Sequence, residues 1–173
     1  MKKTPLAFSI AAAILLTACS VFGKLSDVDY NNQVVESINA TSTMIETTAT
    51  LYNDTVPNVM NETDVVDTAA MQSSYDQAVT SLKGIADLLS LEGRDIEQQN
   101  AVRTDIETYQ TAGEQYLQSY SEMLNYYSTD EYQKDISKVK PIDESLHTGY
   151  TTFIQANNDL VDTLDSYVSS EAE

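Results

Sequence analysis

The chain has 173 residues, a net charge of −18 and one cysteine. This length fits one domain with a real hydrophobic core. The negative charge argues against binding to nucleic acid, and a lone cysteine excludes an intramolecular disulfide. The acidic residues are spread along the chain, which is typical of a solvated surface, with attraction to cations or a basic partner as the alternative.

The beginning of the chain has the order of an export signal. Lys2 and Lys3 precede an apolar stretch over 6–18, which closes with Leu16-Thr17-Ala18-Cys19. The stretch is too short to span a bilayer, which takes about 20 residues. The arrangement resembles the bacterial lipoprotein signal, whose box is a leucine, two small residues and a cysteine. The resemblance implies cleavage before Cys19 and a diacylglycerol thioether on its sulfur.

This resemblance divides the chain into a signal peptide (1–18), a lipidated tether (19–26) and a helical domain (27–170). Two of the nine Lys and Arg residues lie in the signal and all 27 acidic residues follow it, so the net charge after cleavage is −20. An acidic surface repels anionic head groups, so attachment would depend on the acyl chains. Ser20 resembles the sorting signal for the outer membrane in Gram-negative bacteria, which predicts a location there, facing the periplasm.

Apolar spacing predicts a first helix over 27–55 and a second over 58–90. Their apolar faces are Val34, Ile38, Thr41, Ile45, Thr48 and Tyr52 in the first, and Val66, Ala70, Tyr75, Val79, Leu82, Ala86 and Leu89 in the second. Pro57 separates the two, and Asn61 or Thr63 suits the N-cap of the second. Many threonines in the first segment favour a disordered arm as the alternative.

A third helix is predicted over 94–127 and a fourth over 130–168. Their apolar faces are Val102, Ile106, Tyr109, Gly113, Tyr116, Tyr120, Met123 and Tyr127 in the third, and Tyr132, Ile136, Val139, Ile142, Leu146, Tyr150, Phe153, Leu160, Leu164 and Tyr167 in the fourth. Gly113 indicates a close approach by a neighbouring helix. Pro141 predicts either a kink or a new helix that has this proline in its first turn.

These segments predict an all-α fold, because none of them alternates with the period of a strand. Four helices with short connections favour an antiparallel four-helix bundle. The alternative is a three-helix bundle preceded by a mobile Thr-rich N-terminal arm.

The last third of the chain carries a second resemblance. Tyr126-Tyr127, Tyr132 and Asp135, followed in the last helix by Leu146, Phe153, Ala156 and Leu160, resemble the C-terminal signature of YiiG-like lipoproteins. The resemblance implies a helical bacterial lipoprotein and implies no biochemical activity. Pro141 departs from the family pattern, which expects Lys, Gly or Ala there.

Catalytic and metal-binding motifs are weak. His147 is the one histidine, and Glu144 lies three residues before it on the same helix face. A di-iron bundle needs a second such pair. A mixed metal site of Glu144, His147 and a third carboxylate, or haem on His147 and a methionine, remains a weak hypothesis, and we predict no cofactor. The sequence has no nucleophile elbow, phosphate loop or EF-hand, so we predict that the protein is not an enzyme.

Tyrosine is the unusual component, with 11 residues against three Phe and no Trp. Tyr116, Tyr120 and Tyr150 are candidates for a cleft that binds a small ligand or cation. The alternative is that tyrosines fill the core, with hydroxyls reaching polar partners. Three lysines between 134 and 140 form a local basic spot, which either neutralises nearby acids or docks a partner.

Two functional hypotheses follow. In the first, an acidic helical bundle anchored to a bacterial envelope membrane binds another envelope protein, without catalysis. In the second, the same bundle holds a small ligand in the tyrosine-lined cleft. The oligomeric state is not predicted.

Overall fold

The computed structural model describes residues 24–56, 66–93, 96–129 and 131–169. Within them the chain forms α1 (Asp27–Thr55), α2 (Thr68–Gly84), α3 (Ile96–Ser128) and α4 (Val139–Ser169), with a 3₁₀ segment at Ile85–Ser90 and two 3₁₀ turns at Glu131–Gln133 and Ile136–Lys138. No helix in these ranges is long and apolar enough to cross a membrane.

The helices pack as an antiparallel four-helix bundle, which confirms the predicted fold class. Each helix packs against the next one along the chain, and α4 also packs against α1. This closed arrangement places α1 and α3 diagonally across the core. Buried apolar residues from all four helices form one core.

Helix α1 has the predicted bounds and the predicted buried face. All six residues of that face are buried, and Tyr30, which the sequence pattern missed, extends the face by one turn. Ser26 caps the helix by accepting a hydrogen bond from the backbone N–H of Asp29 at 3.1 Å. The alternative of a Thr-rich mobile arm is therefore wrong.

Helix α2 differs from the prediction at its start and in its face. It begins at Thr68, and its N-cap is Asp67, whose side chain accepts from the N–H of Ala69 at 3.1 Å. The predicted caps Asn61 and Thr63 are therefore wrong for this helix and lie outside the described residues, as does Pro57.

The buried face of this segment is rotated relative to the predicted one. It consists of Met71, Ser74, Ala78, Leu82, Ile85 and Leu88. Ala70 and Ala86 are exposed, and Tyr75 and Val79 are only half-buried. The core takes small side chains at Ser74 and Ala78, and a hydrophobicity pattern ranks these below Tyr75 and Val79.

Helix α3 buries every residue of its predicted face. A Cβ atom placed on Gly113 would lie 2.8 Å from Cδ1 of Leu82 and 3.5 Å from Cδ1 of Ile45. Leu82 and Ile45 therefore lie close against Gly113, which confirms the predicted close approach of a neighbouring helix.

The fourth predicted helix is not continuous. Two 3₁₀ turns precede α4, and Pro141 is the third residue of that helix. Proline is tolerated in a first turn because the N–H groups there have no intrahelical partner. Of the two interpretations of Pro141, the new helix is confirmed. Ile136 falls in a 3₁₀ turn and is 40% exposed, so its predicted place on the buried face is wrong.

Hydrogen bonds to the connection between α2 and α3 close one end of the bundle, which we call the Leu25 end. The N–H of Leu25 donates to the carbonyl of Glu92 at 2.8 Å. The Gln99 side chain accepts from the N–H of Gly93 at 3.1 Å and donates to the carbonyl of Leu91 at 2.6 Å.

Aromatic rings close the opposite end, which we call the Tyr132 end. The ring of Tyr132 lies 6.3 Å from that of Tyr126 and 5.2 Å from that of Tyr127, measured between centroids. The hydroxyl of Tyr126 donates to the carbonyl of Asp135 at 2.7 Å, which holds the 3₁₀ turns against α3.

Candidate functional site

Tyrosines on one face of α3 cross the core toward α1. The hydroxyl of Tyr109 donates to the carbonyl of Ile38 at 3.2 Å and is hydrogen-bonded to Oγ of Ser42 at 2.8 Å. Two helical turns further along α3, the hydroxyls of Tyr116 and Thr48 are hydrogen-bonded at 2.9 Å. The hydroxyls of Tyr109 and Tyr116 therefore both find hydrogen-bond partners inside the core, as the core-filling interpretation of the tyrosines predicts.

The structure brings Tyr116, Tyr120 and Tyr150 together. The ring centroid of Tyr116 lies 6.0 Å from that of Tyr120 and 5.6 Å from that of Tyr150. These distances are typical of aromatic rings in contact. The ring of Tyr116 therefore packs against those of Tyr120 and Tyr150, and a role for the three in ligand binding stays a prediction.

A solvent-open groove between α2 and α3 lies beside this aromatic group. One wall is Tyr75, whose ring stacks on Tyr120 with centroids 6.1 Å apart and planes 4° from parallel. The groove has a volume of about 320 Å³, at the lower limit for a small-molecule site. Its lining consists of Tyr75, Val79, Leu82, Lys83, Glu114, Leu117, Gln118 and Ser121.

Lys83 and Glu114 supply opposite charges to the groove. Both are exposed, and neither forms an ion pair within the described part of the chain. The apolar pattern does not predict this groove, because two of its lining residues are the half-buried Tyr75 and Val79, which the pattern assigns to the core.

Two tyrosine hydroxyls in the core are buried without a hydrogen-bond partner among the described residues, those of Tyr120 and Tyr127. Burial raises the pKa of both, to about 12 for Tyr127, with smaller contributions from neighbouring tyrosines and, for Tyr127, from Asp143. Both phenols are therefore neutral at physiological pH.

Tyr52 and Asp143 form a hydrogen bond between α1 and α4. The hydroxyl of Tyr52 donates to Oδ1 of Asp143 at 2.8 Å. Burial and this bond both raise the pKa of the Tyr52 hydroxyl. The two residues are 91 positions apart, so no local pattern in the sequence indicates the pair.

The weak metal candidates Glu144 and His147 are both exposed. Glu144 lies 3.6 Å from Nζ of Lys140 in a surface ion pair. Within the described ranges no group of three or more His, Cys, Asp or Glu side chains could hold a metal ion. Among the residues that the structure describes, no third ligand joins this pair.

The predicted basic spot lies at the Tyr132 end. Nζ of Lys138 lies 3.7 Å from Oε2 of Glu131, and Lys140 pairs with Glu144 as described above. Two of the three lysines thus face acidic partners, which favours the interpretation that they neutralise nearby acids. Lys134 is exposed.

Comparisons with known proteins add no relative. No protein-family model matches the chain, and no curated protein or solved structure matches it either. The lipoprotein resemblances therefore stay predictions, with Cys19 outside the described residues, and any function has to be argued from this chain's own residues.

Proposed function

We propose that the chain is a lipid-anchored protein of the bacterial cell envelope, whose acidic helical bundle binds another envelope protein without catalysis. The box at Leu16–Cys19 and its flanking residues support the anchor. A core filled by residues from all four helices supports a binding or structural role for the domain. We expect the outer membrane, facing the periplasm, as its location.

The observation that carries this proposal is the position of Leu25. Leu25 is hydrogen-bonded to the α2–α3 connection only six residues after Cys19. Six residues span at most roughly 20 Å, so a lipid on Cys19 would hold the Leu25 end near the membrane. Helix α1 has 29 residues, about 43 Å at 1.5 Å per residue. It would direct the Tyr132 end toward a partner.

The anchor is tested by growing bacteria that express the full chain with an alkyne-bearing fatty acid. We expect the protein to be labelled and to lack residues 1–18, as measured by mass spectrometry. Cys19→Ala should abolish the label, whereas the matched variant Ser20→Ala should keep it. Equal labelling of the Cys19→Ala and unchanged chains would contradict the anchor.

The orientation is tested with a photo-crosslinking amino acid at one of two exposed sites in the full chain. Ile136 lies at the Tyr132 end and is 40% exposed, whereas Val28 lies at the Leu25 end and is 55% exposed. We expect one discrete protein product from position 136 and none from position 28. Loss of the product from position 136, or the same product from both, would contradict the proposed binding surface.

The groove between α2 and α3 supports a second candidate function, the binding of a small ligand. Its apolar floor, its aromatic wall Tyr75 and the opposite charges of Lys83 and Glu114 suit a flat apolar molecule with a charged group. The candidate site is thus a surface groove and not the predicted interior cleft, and it lies next to Tyr120, one of the residues predicted for that cleft.

Anilinonaphthalene sulfonate is a suitable probe, because it combines aromatic rings with an anion. We expect its fluorescence to rise with the native protein and to fall back with Ser121→Trp, which fills the groove. Ser73→Trp is the matched control, because Ser73 is exposed on α2 and does not line the groove. Equal fluorescence from both variants would contradict binding in the groove.

A further inference from the structure

The hydrogen bond of Tyr52 differs in kind from those of Tyr109, Tyr116 and Tyr126. Its acceptor is a carboxylate, on Asp143. Tyr109 and Tyr126 donate to backbone carbonyls. Tyr116 bonds to the hydroxyl of Thr48, which donates its own proton to the carbonyl of Ile45 at 2.6 Å. A carboxylate takes up a proton in water, whereas a hydroxyl or a peptide carbonyl does not.

This difference matters when a tyrosine loses an electron. The phenol radical cation is a strong acid, and a positive charge left in the core would be costly. A bonded carboxylate removes that cost, because the phenolic proton can move to it as the electron leaves. The pair of Tyr52 and Asp143 then changes from one negative charge to none, which burial favours. Tyr52 is only 5% exposed.

Tyrosines near Tyr52 offer an electron a stepwise route to the surface. Tyr116 and Tyr127 lie near the Tyr52 hydroxyl and make small contributions to its raised pKa. The ring of Tyr116 is in contact with that of Tyr150, at 5.6 Å between centroids. Tyr150 is half-buried, so an oxidant in solution can reach it. If an oxidant removes an electron from Tyr150, an electron from Tyr52 can reduce Tyr150 again by way of Tyr116.

We propose that Tyr52 is a redox-active tyrosine that traps the oxidising equivalent of small one-electron oxidants of the radical class. The azide radical is an example. The oxidant gains one electron and becomes its anion, the Oη proton of Tyr52 moves to Oδ1 of Asp143, and Tyr52 becomes a neutral tyrosyl radical. Atoms and charge balance, because the carboxylate loses the negative charge that the anion gains. This activity is independent of the lipid anchor and of the partner proposed above.

The test is to expose the purified full chain in detergent to azide radicals made by pulse radiolysis. Electron paramagnetic resonance of frozen samples then identifies the radical. We expect a neutral tyrosyl radical with one dominant hyperfine pattern. Tyr52→Phe keeps the ring, removes the hydroxyl and should abolish that pattern. Tyr109→Phe is the matched control, because Tyr109 is buried but bonds to a carbonyl, and it should leave the pattern unchanged.

The role of Asp143 as the base is tested by two further variants. Asp143→Asn retains a hydrogen-bond acceptor that takes up no proton, so the Tyr52 pattern should be lost. Asp143→Glu restores a carboxylate and should recover it, which a merely structural role would not require. Circular dichroism checks that each variant is folded. The proposal is overturned if Tyr52→Phe leaves the pattern intact, or if Asp143→Asn and the unchanged chain give the same Tyr52 signal.

Discussion

The two ends of the bundle are closed by different chemistry. At the Leu25 end, backbone groups and the side chain of Gln99 form hydrogen bonds to the α2–α3 connection. At the Tyr132 end, three rings in mutual contact cover the core. Ring burial is worth more than a net hydrogen bond, so the difference predicts where the bundle tolerates change.

The largest expected effect is at the Tyr132 end. Tyr132 is 1% exposed, and Tyr132→Ala would remove its ring from those of Tyr126 and Tyr127. We expect the free energy of unfolding to fall by about 3–5 kcal/mol, as for other large aromatic truncations. Urea denaturation measures it. Tyr132→Phe keeps the ring and should lose far less; equal losses would mean that the hydroxyl, not the ring, closes this end.

A smaller effect is expected at the Leu25 end. Gln99→Ala would leave the buried N–H of Gly93 without its described acceptor and remove the bond to Leu91. We expect a loss of about 1–3 kcal/mol, the cost of unsatisfied buried groups. The control is Gln155→Ala, since Gln155 is exposed and bonds only Asp159 among the described residues. A Gln99→Ala loss as large as that of Tyr132→Ala would remove the contrast between the ends.

The two ends also differ in how far the sequence predicts them. The buried faces of α1 and α3 follow from spacing alone, because long amphipathic helices repeat one pattern over many turns. The 3₁₀ turns before α4 do not follow from spacing, because Ile136 fits the apolar face of a helix in the sequence and yet lies in a 3₁₀ turn. Apolar spacing identifies which face of a helix is buried, but it does not show at which residue this helix begins.

The sequence predicts part of the tyrosine packing in the core, and ligand binding by these tyrosines stays a prediction. The approach of Tyr116, Tyr120 and Tyr150 follows from their faces on predicted helices. The groove beside Tyr75 and the bond between Tyr52 and Asp143 do not, because both depend on the rotation of one helix about its axis relative to the next. A rotation by one residue moves Tyr75 from the core to the groove, and apolar spacing does not resolve so small a change.

Alkaline pH provides a further comparison of the ends. Burial raises the pKa of Tyr127 to about 12 at the Tyr132 end. At the Leu25 end, burial also raises the pKa of Tyr30, but the nearby charge of Arg103 opposes it. A raised folded pKa contributes stability that is complete below the unfolded pKa of about 10 and is lost as the pH rises toward the folded one.

Urea denaturation at several pH values, with ionisation followed by ultraviolet absorbance, tests this sign. We expect stability to fall between about pH 10 and 12. Tyr127→Phe should reduce that fall more than Tyr30→Phe does. The reverse order would show that the Leu25 end buries its phenol more completely than the geometry indicates.

The smallest expected effect is that of Asp135, at the surface of the Tyr132 end. Its side chain accepts from the hydroxyl and the N–H of Ser137, and these bonds, with the charge of Lys138, lower its pKa. A lowered folded pKa contributes stability above the unfolded pKa of about 4, which is lost as the pH falls below it. Asp135→Asn should therefore be less stable than the unchanged chain at pH 7 and equal to it in acid. A difference that persists in acid would mean that the cap acts through its shape. In either case the loss should stay well below that of Tyr132→Ala, because the solvent screens a surface carboxylate and cannot replace a buried ring.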